Sequence, residues 1–189
     1  HDRKAQTSQP CSVPATPTAV TLPAITAQIT GPGDMFESLM ALPAGDDMAH
    51  FKYEAQEYFV SGTANGQPYR TRIVIRRPVD PAKLSGLILA ESMHPSGNAW
   101  MFHFTHRYSM AEGHVALDVL TSTHVPFAEF NPERYKDLQV LPGQAPEILA
   151  QVGALMKSTQ PGNPLGGLPL RKVILAGPSA SAPVGIAYL

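Results

Sequence analysis

The sequence predicts an α/β fold with a mostly parallel sheet that follows a leading antiparallel hairpin. Three short apolar runs, at residues 86–90, 115–120 and 172–176, are typical of strands buried on both faces. Segments of helical length separate them, at residues 99–113 and 145–157. Because strands alternate with helices, we expect parallel pairing, right-handed crossovers and helices on both faces of the sheet.

The hairpin is predicted within residues 50–77. Residues 50–62 are rich in aromatic side chains and alternate loosely, and residues 69–77 alternate polar with apolar side chains. Asn65-Gly66 lies between these two runs, and both residues tolerate the positive φ angles of a two-residue hairpin turn. We therefore expect two antiparallel strands that join at this pair.

Local signals also bound the two helices. Gly113 is a C-cap residue for the first helix, and Asn98 is its expected N-cap. The second helix has a proline in its first turn and one apolar face, formed by Ile148, Val152, Leu155 and Met156. Residues 122–143 contain three prolines and are expected to be mostly irregular.

The composition excludes several classes of function. Among 189 residues, 14 Lys and Arg balance 15 Asp and Glu, for a net charge of −1, so nucleic-acid binding is not expected. The single cysteine, Cys11, rules out an internal disulfide and a cysteine-based zinc cluster, and no metal site is expected. Prolines and threonines break the uncharged stretch before Asp34, so no transmembrane helix is expected.

The chain divides into a tail and one domain. Residues 1–24 are rich in Pro and Thr, and their four prolines favour an extended linker, which indicates an exported protein. Residues 25–189 hold all the predicted strands and helices. Since the sequence begins at His1 and ends at Leu189 within a helical segment, we expect a processed or truncated piece of a longer protein.

The segment with the clearest chemistry is residues 172–182, KVILAGPSASA. A buried strand, a sharp turn at Ser179 and a following helix are the setting of a nucleophile elbow, G-x-S-x-G, with Ser181 in place of the last glycine. Such a turn strains the serine backbone and requires small neighbours, here Gly177 and Ser181. The helix N-terminus supplies N–H groups for an oxyanion. The alternative is a turn that serves only close packing or holds a phosphate.

This segment resembles the nucleophile elbow of the α/β-hydrolase superfamily. It is most similar to a subgroup of bacterial, often exported hydrolases whose elbow reads G-x-S-x-S/T-G, and it departs from that pattern at Ala182. The resemblance covers about residues 53–189 and implies the N-terminal part of a hydrolase sheet, incomplete at its C-terminal side. It also implies that residues 25–189 form the N-terminal part of that domain.

The resemblance further implies an oxyanion hole built from two backbone N–H groups. One would come from Ala180, and the other from the loop after strand 86–90, near Met93 or His94. An ordinary turn into the next helix is the alternative for that loop. Ser92, Trp100 and His124 are the candidate pocket residues. His124 follows a strand, and ligands gather at the carboxyl ends of parallel strands. Trp100 could shape an acyl pocket, with core packing of an aromatic helix face as the alternative. His103 and His106 share a helix face and are expected to be packing or surface residues.

The absence of an acidic residue and a histidine after Ser179 limits the mechanism expected for this piece. A hydrolase of this family places its acid and its histidine after the serine, yet residues 180–189 contain no Asp, Glu or His. We therefore expect this piece to be inactive or nearly so without a C-terminal half or a second chain, which would also complete the sheet beside strand 172–176. The longer protein of which this piece is expected to be a part would be a serine esterase. It would form an acyl-enzyme on Ser179, act on a small-molecule ester and need no cofactor. The alternative is a catalytically dead, hydrolase-like binding or scaffold domain.

Overall fold

A computed structural model describes residues 19–123 and 127–184. The strands are β1 (Ala24–Ile25), β2 (Tyr53–Ala64), β3 (Gln67–Pro78), β4 (Leu87–Ser92), β5 (Val115–Val119) and β6 (Lys172–Ala176). The helices are α1 (Met48–Phe51), α2 (Trp100–Ala111), α3 (Phe127–Phe130), α4 (Pro132–Tyr135) and α5 (Ala145–Lys157). Two 3₁₀ turns span Pro81–Lys83 and Ser179–Ser181.

The described strands form one mixed sheet in the order β1-β2-β3-β5-β4-β6. The first three strands and the β3–β5 pair are antiparallel, whereas β4 runs parallel to both β5 and β6. Asn65 and Gly66 join β2 to β3 with φ angles of 50° and 69°, as a two-residue hairpin turn requires. The predicted hairpin followed by parallel units is therefore confirmed.

In two segments, the structure contains helix that the sequence does not predict. Residues 48–51 form α1 rather than the start of a strand, because the Asp47 side chain accepts a hydrogen bond from the His50 N–H at 2.8 Å and caps this turn. The described part of residues 122–143 is mostly irregular, as expected, and contains two short helices, α3 and α4. Asn131 caps the second of them by accepting from the Arg134 N–H at 3.2 Å.

One face of the sheet carries the apolar core. The predicted apolar face of α5 is buried as expected, with Ile148 and Leu155 fully inaccessible. It packs on Ile73 and Ile75 of β3 and on Leu117 of β5. Because side chains alternate along a strand, the residues between these positions point to the opposite face.

The opposite face buries charge. Arg72 and Arg76 of β3 are both 0% exposed. The Glu57 carboxylate on β2 accepts hydrogen bonds from the Arg72 Nε, from the Arg134 Nε at 2.7 Å and from the Tyr135 hydroxyl at 2.8 Å. A buried charge is tolerated only when it is paired in this way. We call Glu57, Arg72, Arg76, Asp118 and Arg134 the buried ion cluster.

The buried ion cluster also holds the segment that precedes α1. Asp118 of β5 accepts from the Arg76 Nη1 at 2.6 Å and from the Ser38 hydroxyl at 2.7 Å. Arg134 donates to the carbonyl oxygens of Gly33 and Ile29, at 2.7 and 3.0 Å. Polar contacts therefore hold residues 29–38 against this face of the sheet.

The last strand lies at an edge. Among the described residues, β6 pairs with β4 on one side and with no strand on the other. Ile174 in its middle is 41% exposed, which is unusual for an apolar residue of a parallel strand.

Of the helices in the described ranges, none has both the length and the apolar character needed to cross a bilayer.

Removal of the Glu57 charge is expected to destabilise the fold strongly. Glu57→Gln leaves Arg134 without a carboxylate in a buried site and leaves Arg72 with only the more distant Asp118, 3.9 Å from its Nη1. Such a loss costs about 3–5 kcal/mol. Glu54→Gln is the matched control on the same strand, since Glu54 is 36% exposed and pairs with Arg77 at 3.3 Å. This control is expected to lose less than about 1 kcal/mol. Urea unfolding measures both, and equal losses would contradict a structural role for the buried ion cluster.

Candidate active site

Two of the sequence-predicted segments meet at one edge of the sheet. Since β4 and β6 are parallel neighbours, the chain leaves both strands at the same edge. Ala176 is the register partner of Glu91, so the Ser179 turn starts beside the loop of residues 93–98. Residues 120–123 leave β5 at this edge as well, because Glu91 is paired with Asp118. Open α/β sheets bind their ligands at such an edge.

Ser179 has the strained backbone that the sequence predicts. Its φ angle is 51°, and the other non-glycine residues with positive φ in the described chain are Lys52 and Asn65. Pro178 before it is extended, with φ −88° and ψ 157°. The abrupt change of direction leaves Ser179 exposed at the start of a 3₁₀ turn. A non-glycine residue held in this conformation costs about 1–3 kcal/mol and is typical of functional sites.

Close packing across the turn explains the small residues around Ser179. A Cβ atom on Gly177 would lie 2.9 Å from the Ser181 carbonyl oxygen and 3.0 Å from the Ser181 Cβ. Both distances are too short, so only glycine fits at position 177. Ser181 is 2% exposed, and its Oγ makes no hydrogen bond within the described residues. Its small side chain therefore fills the inside of the turn.

The backbone N–H that follows Ser179 is available in this turn. The Ser181 N–H donates to the Pro178 carbonyl at 3.0 Å, and the Ala182 N–H donates to the Ser179 carbonyl. The Ala180 N–H makes no hydrogen bond to any described residue, and Ala180 is exposed. This N–H directly follows Ser179, as the predicted oxyanion donor must.

The loop after β4 differs from the prediction at Met93. The Met93 N–H donates to the Val119 carbonyl at 2.8 Å and so continues the parallel ladder between β4 and β5. The Met93 side chain is buried in an apolar cluster with Phe59 and Leu120. The Met93 amide is therefore used by the sheet and is not available to an oxyanion.

The His94 amide is the remaining candidate of that loop. Its N–H donates to the Asn98 carbonyl at 3.1 Å, a bond inside the loop that an oxyanion would have to replace. The loop is compact, because Gly97 has a φ of 88° and its N–H donates back to the His94 carbonyl at 2.8 Å. The ring Nδ1 of His94 accepts from the Ser96 N–H at 3.1 Å.

Glu91 replaces the expected cap of α2. Asn98 does not cap this helix; its side-chain amide donates to the Ser96 hydroxyl at 3.0 Å. The Glu91 carboxylate instead accepts from the Met101 N–H at 3.0 Å and from the Phe102 N–H at 2.9 Å. No role was predicted for Glu91, although a carboxylate at the end of an apolar strand is itself a signal of a buried polar role.

Burial shifts the acidity of Glu91. The residue is 2% exposed, and loss of solvation raises the pKa of its carboxyl to about 7. The two amide hydrogen bonds at the start of α2 and the Arg76 charge act against this shift, whereas the Asp118 charge adds to it. Glu91 therefore changes its charge near neutral pH.

The candidate pocket residues differ in their surroundings. Ser92 is 2% exposed and bonded through its hydroxyl to the Thr121 hydroxyl, so it joins the ends of β4 and β5. Trp100 is half-buried and stacks on Phe104 with ring centroids 5.5 Å apart. His124 lies outside the described residues. Within the described residues, no group of His, Cys, Asp or Glu side chains is arranged to hold a metal ion.

Comparisons with known proteins identify the family of this chain. A scan of protein families matches residues 11–189 to the alpha/beta hydrolase domain, whereas a search of curated proteins finds no match. Among solved structures, brefeldin A esterase, a bacterial homologue of human hormone-sensitive lipase, aligns with a TM-score of 0.46 and 17% identity. The alignment covers 81% of this chain and 38% of that esterase. Because the family match leaves out just the first ten residues, this chain belongs to the alpha/beta hydrolase domain family.

Proposed function

We propose that Ser179 is the nucleophile of a serine hydrolase that acts on small carboxylic esters without a cofactor. The observation that carries the proposal is the conformation of Ser179, with φ of 51°, at the exposed turn that follows a parallel strand. The Ala180 N–H beside it, which has no partner among residues 19–123 and 127–184, supports the same role. Lys52 and Asn65 have similar φ angles in a helix C-cap and a hairpin turn, whereas Ser179 follows a parallel strand at the end of the sheet where ligands bind.

The reaction begins when the Ser179 Oγ attacks the ester carbonyl carbon and a general base takes the hydroxyl proton. The carbonyl π electrons move to oxygen, and the Ala180 N–H donates a hydrogen bond to that oxyanion. The His94 N–H is the second donor once the oxyanion has replaced the Asn98 carbonyl. Collapse of the tetrahedral intermediate expels the alcohol, which receives the proton, and leaves an acyl-Ser179. Water then releases the acid.

The general base must lie elsewhere than in residues 180–189, which contain no Asp, Glu or His. We propose that a further segment or a second chain supplies the histidine and its acidic partner and pairs with the open side of β6. Without them, the chain itself acylates slowly, because general-base catalysis contributes about 10²–10⁴-fold. The Pro/Thr-rich residues 1–24 support an exported location for this hydrolase.

A fluorophosphonate probe is expected to label Ser179 slowly, and peptide mapping identifies the site. Added imidazole substitutes for the missing base and is expected to raise the labelling rate by about tenfold, a part of the general-base contribution. Ser179→Ala abolishes the labelling. The control is Ser61→Ala on β2, which removes a hydroxyl bonded to Arg70 at 3.3 Å and leaves the labelling unchanged. Absence of label with and without imidazole would favour the binding-domain alternative.

Gly177→Ala is expected to slow the labelling of Ser179 at least tenfold. The added Cβ would meet the Ser181 carbonyl at 2.9 Å and so displace the turn, and overpacking of this kind costs about 1–3 kcal/mol. Gly153→Ala in α5 is the matched control, since its Cβ meets no atom within 4 Å. This control is expected to gain up to about 1 kcal/mol and to label normally. Equal labelling of the two variants would show that the turn tolerates a side chain.

A further inference from the structure

We propose that Glu91 is a positioning residue that holds the loop of residues 93–98, and with it the His94 amide, in place beside Ser179. The inference rests on the proposed function, because it assigns a role to the loop that would bind the oxyanion. Glu91 itself is buried, and its carboxylate accepts hydrogen bonds from the amides at the start of α2, so we assign it no direct contact with the substrate.

The two hydrogen bonds of Glu91 close the loop at its base. Glu91 lies at the end of β4, two residues before Met93, whereas its bonding partners Met101 and Phe102 lie in the first turn of α2. The carboxylate therefore joins the strand that leads into the loop to the helix that leads out of it. No side chain of the N-cap residue Ala99 performs this function.

Both carboxylate oxygens are needed as acceptors. Oε1 accepts from the Phe102 N–H and Oε2 from the Met101 N–H, so an ionised carboxylate satisfies both amides and also complements the positive end of the helix dipole. A glutamine would turn an NH₂ donor toward one of these N–H groups. A protonated carboxyl would likewise lose one of its acceptor positions.

A second anchor keeps the loop attached when Glu91 is altered. The Ala99 N–H donates to the Ser38 carbonyl at 2.8 Å, and the Ser38 hydroxyl donates to Asp118 of the buried ion cluster. Met93 is fixed independently through the β4–β5 ladder. Loss of the Glu91 bonds therefore loosens the first turn of α2 and shifts the loop without unfolding the domain.

The position of Glu91 also makes the loop sensitive to pH. The groups that face it are Asp118 on β5, which raises its pKa, and Arg76 on β3, which lowers it; burial dominates and sets the pKa at about 7. The folded chain binds this proton more tightly than the unfolded chain, so the stability that Glu91 contributes falls as the pH rises from about 4.5 to about 7. The loop geometry depends on pH in the opposite sense. The Glu91 carboxyl accepts from both the Met101 and the Phe102 N–H groups only when it is ionised, at a pH above that range.

The test compares Glu91→Gln with Glu112→Gln, which removes an exposed carboxylate at the other end of α2. Ser179 labelling is measured from pH 5.5 to 8.5, and hydrogen exchange is measured at residues 94–102. Glu91→Gln is expected to slow the labelling by about 10–100-fold, the usual cost of a misplaced group, and to remove the part of the pH dependence centred near 7. It is also expected to speed exchange at Met101 and Phe102. The control variant should match the unmodified chain in all three respects.

Two results would overturn the inference. The first is normal labelling of Glu91→Gln with an unchanged pH profile, which would leave Glu91 with a structural role alone. The second is unchanged exchange at residues 94–102, which would show that Glu91 does not hold the loop. If the unmodified chain is not labelled at Ser179, the proposed function fails, and the exchange measurement still decides whether Glu91 positions the loop.

Discussion

The pairing of Arg72 and Arg76 with Glu57 and Asp118 is the interaction on which the rest of the structure depends. These two arginines lie in the middle of the sheet, on the face that α5 does not cover, and both are 0% exposed. Because an unpaired buried charge is so costly, each partner must arrive in register. The cluster therefore selects one arrangement of β2, β3 and β5, and it draws α4 and the segment before α1 over the sheet.

That cluster is also connected to the candidate active site. Asp118 holds the Ser38 hydroxyl, and the Ser38 carbonyl accepts from the Ala99 N–H at the start of α2. Glu91 adds a second connection from β4 to the same helix. The loop of residues 93–98 thus depends on buried polar contacts at both of its ends. The Ser179 turn depends instead on steric fit, because Gly177 packs against Ser181. Polar contacts and steric fit therefore act together at the carboxyl ends of β4 and β6.

Much of this chain was predictable from local sequence signals. Asn65-Gly66 marked the hairpin, Pro146 and the apolar face marked α5, and the glycine and small residues around Ser179 marked the strained turn. Each of these signals acts within a few residues, through φ preference, hydrophobic period or steric fit. The same reasoning placed an oxyanion donor near Met93 or His94, and the local pattern does not show that the Met93 N–H completes the β4–β5 ladder.

The sequence by itself thus determined the order of the main strands and helices, the hairpin and the position of the strained turn at Ser179. Only the tertiary structure decided which polar residues are buried and what they bind. Arg72 and Arg76 are part of an ordinary polar–apolar alternation until Glu57 and Asp118 are placed beside them, and Glu91 becomes a helix cap only when β4 and α2 are packed together. The physical reason is that buried charges are stabilised by partners 10 to 105 positions away, and no local pattern encodes contacts of that range.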